Sequence, residues 1–119
     1  MQTISNDVLQ VTISSKGAEL QNIQHLENGL EYLWNGDANF WGKKSPVLFP
    51  IVGGLKNGEY TYSGKTYKLG RHGFAREMEF EVTNLTNQSV EYTLTSNEQT
   101  LEVYPFEFNF KIIYSLKEN

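Results

Sequence analysis

Apolar and polar residues alternate along most of the chain, which is the pattern of β-strands with one buried face. Leu9, Val11 and Ile13 share one face of the first clear strand. A second, less regular strand is predicted over residues 20–29, and a short third strand over residues 30–34. No long segment keeps a helical period, so the pattern predicts a nearly all-β chain.

Two hairpins are predicted in the middle of the chain. The first spans residues 59–69, where tyrosines alternate with polar neighbours and Ser63-Gly64 forms the turn. The second enters through residues 78–82, turns at residues 84–87 and returns through residues 90–94. The apolar run over residues 47–52 contains Pro50 and ends at Gly53-Gly54.

The last quarter of the chain predicts one helical turn and one long strand. The turn spans residues 97–103, before Pro105, and the strand alternates strictly from Phe106 to Tyr114. A strand this apolar is usually central in its sheet, because an exposed apolar edge invites aggregation. We therefore expect a partner on each side, supplied by an earlier strand or by polypeptide beyond this chain.

Composition describes a globular chain of one domain, residues 1–119. Hydrophobic residues make up 39% and charged residues 20%, and there is no cysteine. The net charge is -4 and no basic run exceeds Lys43-Lys44, which excludes a nucleic-acid footprint. The start lacks the apolar core of a signal peptide, and no run approaches the roughly 18 apolar residues of a membrane span. We expect a cytoplasmic protein that binds no membrane.

The candidate chemistry is concentrated in residues 70–76, with the sequence Gly-Arg-His-Gly-Phe-Ala-Arg. The flanking glycines allow a positive φ and a close approach to a ligand, and loops on a β scaffold commonly hold sites. The alternative is a solvated basic turn, in which Arg71 and Arg76 pair with Glu77 or Glu79. The other histidine, His25, has no catalytic company. Two histidines without cysteine predict no metal site.

Two segments at this separation resemble a known family. Residues 45–53 read Ser-Pro-Val-Leu-Phe-Pro-Ile-Val-Gly, and residues 70–76 follow after Lys56-Asn57-Gly58 and Gly64-Lys65-Thr66-Tyr67. Together they resemble the LacX-type branch of the aldose 1-epimerases. The resemblance implies an antiparallel, galactose mutarotase-like β-supersandwich, of which residues 1–119 form the N-terminal portion. It also implies a sugar bound in a concave cleft and interconversion of its α and β anomers without a cofactor.

The resemblance also implies roles for individual residues. His72 corresponds to the family's first site histidine, and Arg71 and Arg76 would position hydroxyls or a phosphate. Trp41 and Phe74 are candidates for the apolar wall, although Trp41 fits a plain core position equally well. The family's histidine acid and glutamate base fall beyond residue 119, and Gly54 stands where the family commonly has an arginine, which puts one sugar contact in doubt.

The leading hypothesis is therefore a truncated epimerase chain that binds a small sugar and is inactive alone. One alternative is a non-catalytic carbohydrate-binding β module, and another is a structural remnant. A further possibility is completion by a second chain, since an unpaired apolar strand makes self-association plausible.

Overall fold

In a computed structural model that describes residues 1–117, the chain forms three separate antiparallel β units. They are a three-stranded sheet, a two-stranded hairpin and a second three-stranded sheet, with strand orders β1-β2-β3, β4-β5 and β6-β7-β8. The strands are β1 Gln2–Ser5, β2 Leu9–Ser14, β3 Glu19–His25, β4 Glu59–Tyr62, β5 Lys65–Lys68, β6 Glu81–Leu85, β7 Ser89–Thr95 and β8 Asn109–Ser115. The helix α1 spans Glu98–Val103, and short 3-10 helices span Lys56–Gly58 and Ala75–Glu77.

The first sheet follows the alternation of its sequence. Val11 and Ile13 on β2 are buried together with Ile4 on β1, and β1 and β2 pair in antiparallel register. Asn6 starts the connecting turn, because its Oδ1 accepts hydrogen bonds from the backbone N–H groups of Val8 and the following residue, both at 2.8 Å. The strand predicted over residues 8–14 is confirmed as β2.

The strand predicted over residues 30–34 is wrong, and β3 ends at His25 instead of continuing to residue 29. Glu31 makes only an isolated bridge with Gln24. Its Oε1 accepts hydrogen bonds from the backbone N–H of Ile23 at 2.9 Å and of Leu33 at 3.2 Å. The Glu31 carboxylate therefore accepts the hydrogen bond that a backbone carbonyl would accept in a β-sheet. The alternation of apolar and polar residues cannot predict such a side-chain acceptor.

Both predicted hairpins are confirmed, with small shifts of their boundaries. In the β4–β5 hairpin, Ser63 and Gly64 both have positive φ, at 51° and 77°, as a tight two-residue turn requires. In the second hairpin β6 begins only at Glu81, and a bulge lies between Val82 and Asn84.

The helical turn before Pro105 is confirmed as α1. Asn97 caps it, since its Oδ1 accepts from the Thr100 N–H at 2.9 Å and Thr100 Oγ1 accepts from the Asn97 N–H at 2.9 Å. None of the helices within residues 1–117 has the length and apolar character needed to cross a bilayer.

The last strand is confirmed, but it starts later than predicted. It begins at Asn109, because the N–H of Phe108 donates to Ser96 Oγ at 3.1 Å before the ladder starts. It lies at an edge of the sheet, where β7 and not β8 is central. The expected second neighbour is absent among residues 1–117, and Ile113 on β8 remains 60% exposed.

The two larger sheets are joined through one core, in which two tyrosines link the layers. Tyr92 on β7 is fully buried and its hydroxyl donates to the carbonyl of Ile13 at 3.1 Å. Tyr114 on β8 donates to the carbonyl of Ala18 at 2.7 Å. Burial raises the pKa of both phenols, and the charge of Glu19 adds to the rise at Tyr114.

The chain is extended for its length. Its radius of gyration is 16.8 Å and its extents are 57 × 35 × 20 Å, whereas a compact domain of this size has a radius of gyration of about 13–14 Å. Its accessible surface is 7775 Å², against about 6,600 Å² for a typical monomer of the same mass. The core is correspondingly small for the surface that surrounds it.

Candidate functional site

The two segments singled out in the sequence are bonded to each other through their backbones. The Phe49 carbonyl accepts from the N–H groups of Phe74 and Ala75 at 2.9 and 3.2 Å. The His72 N–H donates to the carbonyl of Gly53 at 2.7 Å, and the N–H of Gly53 donates to His72 Nδ1 at 2.9 Å. The loop over residues 70–76 is therefore held by a reciprocal pair of hydrogen bonds centred on His72.

Gly73 lets the two segments approach this closely. Its φ is +76°, a left-handed conformation that residues with a Cβ rarely adopt. A Cβ on Gly73 would overlap the Phe49 carbonyl and lie 2.7 Å from Pro50 Cδ. The position requires glycine for its backbone angle and for the space beside it.

His72 is a non-glycine residue with positive φ, at 64°. Such a conformation costs free energy and persists only where the surroundings fix it, and such positions are frequent at functional sites. Because Nδ1 accepts a backbone hydrogen bond, a neutral ring carries its proton on Nε2. The free edge of the imidazole is thus a hydrogen-bond donor, which suits a ligand oxygen. His25 also accepts a backbone N–H at Nδ1, from Glu27 at 3.2 Å, but lies at the end of β3.

His72 and Arg76 line a cleft together with an apolar wall from an earlier segment. The cleft has a volume of about 410 Å³ and is lined by Trp41, Ser45, Pro46, Leu48, His72 and Arg76. Small-molecule sites commonly measure roughly 300–1,000 Å³. Of the five residues suggested by sequence, the cleft brings together His72, Arg76 and Trp41. Leu48 and its neighbours were not named as site residues, although the Ser45–Gly53 motif was the signal for them.

Arg71 lies next to the cleft rather than in its lining. Its guanidinium covers Gly54, where a Cβ would lie 3.7 Å from Arg71 Nη1. Its carbonyl accepts a hydrogen bond from Arg76 Nη2 at 3.3 Å. A cationic side chain therefore occupies the space beside the position where the family commonly has an arginine.

The ion pairs expected for a plain basic turn are not formed. Glu77 pairs with Lys43 at 3.1 Å and with Lys16 at 3.4 Å, and the hydrogen bond from Lys43 leads the causes that lower its pKa. Within residues 1–117 no carboxylate pairs with Arg71 or Arg76. The expected pairing of these arginines with Glu77 or Glu79 is therefore wrong, and Arg76 instead donates to the Arg71 carbonyl.

Phe74 points into an aromatic cluster beneath the loop. Its ring centroid lies 6.2 Å from that of Phe49 and 6.1 Å from that of Phe108. Phe49 in turn stacks on Phe110 of β8, with centroids 4.2 Å apart and an interplanar angle of 13°. Phe74 thus anchors the loop to the second sheet, and the structure does not place it in the cleft lining.

A larger groove, of about 550 Å³, is chemically different. It is lined by Thr3, Ser5, Asn6, Asp7, Leu85, Thr86, Asn87 and Gln88, without an aromatic ring, imidazole or guanidinium. The part of the chain that the structure describes also contains no group of three or more side chains suited to hold a metal ion. The combination of an imidazole, a cation and an indole makes the His72 cleft the candidate site.

The comparisons with known proteins show similarity in sequence. A sequence model described as aldose 1-epimerase matches residues 1–119. The chain is 33% identical to the plasmid-encoded and chromosomal LacX proteins of Lactococcus lactis, over 95% of its own length. The chain belongs to the aldose 1-epimerase family, which confirms the resemblance read from the two motifs.

Solved structures agree on the fold. A galactose mutarotase related enzyme from Lactobacillus acidophilus is 50% identical over 98% of this chain, with a TM-score of 0.95. A galactose mutarotase-like protein from Lactobacillus casei is 36% identical over 99% of this chain, also with a TM-score of 0.95. The antiparallel all-β fold is therefore galactose mutarotase-like. The chain spans 39% of the LacX proteins and 39% and 40% of these two structures.

Proposed function

We propose that this chain supplies one side of the sugar site of an aldose 1-epimerase-like protein. Nε2 of His72 donates a hydrogen bond to a sugar oxygen, and Arg76 binds a hydroxyl or, in a phosphorylated sugar, a phosphate. Trp41 supplies an apolar face for the ring. The reaction class is interconversion of α and β anomers, without a cofactor. The observation that carries the proposal is the reciprocal bonding of His72 with Gly53, which leaves one donor free in the cleft.

The same cleft supports the proposal that the 119-residue chain does not catalyse the reaction alone. Opening a pyranose ring requires an acid at the ring oxygen and a base at the C1 hydroxyl. The lining contains an imidazole and a guanidinium, but no carboxylate. A guanidinium offers N–H donors and no acceptor, so Arg76 cannot serve as the base. The chain is therefore proposed to bind sugar and to lack a proton-transfer pair.

Replacing His72 by asparagine should weaken sugar binding about tenfold or more. Asparagine tolerates positive φ, and its Oδ1 can accept the hydrogen bond from Gly53, so the loop is retained while the Nε2 donor is lost. Calorimetric titration of galactose and glucose, each with and without a 6-phosphate, measures the change. His25→Asn is the matched control and should leave affinity unchanged.

Polarimetry of freshly dissolved α-galactose and α-glucose tests the catalytic part. The chain should leave mutarotation at the rate of buffer alone. A rate above buffer that disappears in His72→Asn would show that this chain contains a working base and would contradict this part of the proposal. Absence of saturable binding at millimolar sugar would instead favour a structural remnant. Sugar binding without turnover, even after a second chain has been added to complete the site, would favour a carbohydrate-binding module.

The open edge of β8 supports a second proposal, that the 119-residue chain self-associates. The strand has one neighbour among residues 1–117, and the exposed Ile113 lies on it. An unpaired apolar edge is a template for another strand. Light scattering should give a mass above 13.7 kDa that falls towards the monomer in Ile113→Lys. A monomeric wild-type chain at high concentration would contradict this proposal.

A cytoplasmic location also belongs to the proposal. It is supported by the absence of cysteine, which suits a reducing compartment. Fractionation of the cells that express the protein tests it directly.

A further inference from the structure

We propose that Glu19 is a positioning residue for the cleft, holding the apolar wall at its distance from His72; its effect on sugar binding rests on the proposed function. Glu19 is the only charged residue among the buried residues of the chain's described part, with 7% of its surface exposed. Burying a carboxylate is costly unless hydrogen bonds compensate it. A buried carboxylate without a role in the proposed binding therefore requires another reason.

The carboxylate binds the start of the apolar wall. Glu19 Oε2 accepts from the backbone N–H groups of Lys44 at 2.9 Å and Ser45 at 3.3 Å. Ser45 Oγ donates to the carbonyl of Leu20, the next residue of β3, at 2.9 Å. No ion pair joins Glu19 to a lysine or arginine within residues 1–117. The backbone amides are thus its charge-stabilising partners, and they lie directly before Pro46 in the cleft lining.

The turn before Glu19 is bonded to the segment that follows Arg76 of the cleft lining. The N–H of Gly17 donates to the carbonyl of Met78 at 2.7 Å, and the N–H of Phe80 donates to the carbonyl of Ser15 at 2.8 Å. Gly17 lies close to the backbone of Arg76. A Cβ at position 17 would lie only 2.7 Å from the Arg76 carbonyl oxygen, so the close contact requires glycine. Residues 15–19 therefore contact both walls, one through Gly17 and the other through Glu19. The width of the cleft depends on this short turn.

Three variants test the role of Glu19. Glu19→Ala removes both acceptor bonds, and Glu19→Gln keeps one oxygen that can accept them. Glu31→Ala is the matched control, because Glu31 also accepts two backbone N–H bonds but lies outside the cleft lining. Two quantities are measured on the folded chain: sugar affinity by calorimetry, and amide hydrogen exchange residue by residue.

Glu19→Ala should weaken sugar binding about tenfold and speed exchange locally, at residues 44–48, while Glu19→Gln restores most of both. Glu31→Ala should change neither. A uniform loss of protection along the chain would overturn the proposal, because it indicates a purely structural role. So would faster exchange at residues 44–48 with unchanged affinity. If the wild-type chain binds no sugar, the proposed function fails, and the exchange pattern alone then decides whether Glu19 holds the wall.

Discussion

Replacing Gly73 by alanine should lower the free energy of unfolding by roughly 3 kcal/mol or more, because two costs add. The first is the positive φ of +76°, and the second is the overlap of the new Cβ with the Phe49 carbonyl. The overlap is with backbone, which cannot rotate away as a flexible side chain can. Urea unfolding followed by fluorescence measures the change.

Gly64 provides the control for this experiment. Its φ of +77° is almost the same, but nothing lies within 4 Å of its Cβ position. Gly64→Ala should therefore show the backbone cost alone, about 1 kcal/mol. The difference between the two variants isolates the close approach of the two motif segments. Equal losses at the two positions would contradict the described proximity of Gly73 to Phe49.

Replacing Tyr92 by alanine should cost about 3–5 kcal/mol, the range for a fully buried aromatic side chain. Tyr92 is the largest of the fully buried side chains and its ring lies between the two sheets. Tyr92→Phe keeps the ring and should cost only about 1 kcal/mol, for the lost hydrogen bond to Ile13. Thermal unfolding of the two variants separates packing from hydrogen bonding.

Tyr32 is the matched control, since 55% of its surface is exposed. Tyr32→Ala should change the free energy of unfolding by no more than about 0.5 kcal/mol. A comparable loss at positions 32 and 92 would contradict a core shared by the two sheets. It would indicate instead that the exposed segment around Tyr32 contributes as much as β7.

Most of the fold could be predicted from the period-2 alternation of apolar and polar residues. This alternation predicted β2, the β6–β7 hairpin and β8, which bury one face against a common core, and the β4–β5 hairpin was predicted from its tyrosine alternation and its Ser63-Gly64 turn. It failed at residues 30–34, where the Glu31 carboxylate takes the place of a ladder carbonyl. It did not show which strand would pair with the second edge of β8, because periodicity shows which face of a strand is buried but not how many neighbours its edges have.

The sequence identified the two motifs that form the candidate site, but it could not predict how their side chains are arranged. The glycines of residues 70–76 were expected to allow a close approach to a ligand, which stays a prediction, whereas the structure shows Gly73 closely approaching the Phe49 backbone. The sequence could not distinguish Arg76, in the cleft lining, from Arg71, beside Gly54, because both flank the same loop. The role of Glu19 could not be predicted for a different reason. Its carboxylate binds backbone N–H groups, which almost every residue has, so the identities of the donor residues give no signal.

The extended outline of the chain has a consequence for its tolerance of mutation. A domain with more surface and less interior has a smaller reserve of folding free energy above the threshold at which it unfolds. The 119-residue chain on its own would therefore be unfolded by substitutions that cost only a few kcal/mol. Substitutions in the 119-residue chain alone should accordingly be least tolerated at the few residues that connect its separate β units, and best tolerated along the rim of the β4–β5 hairpin.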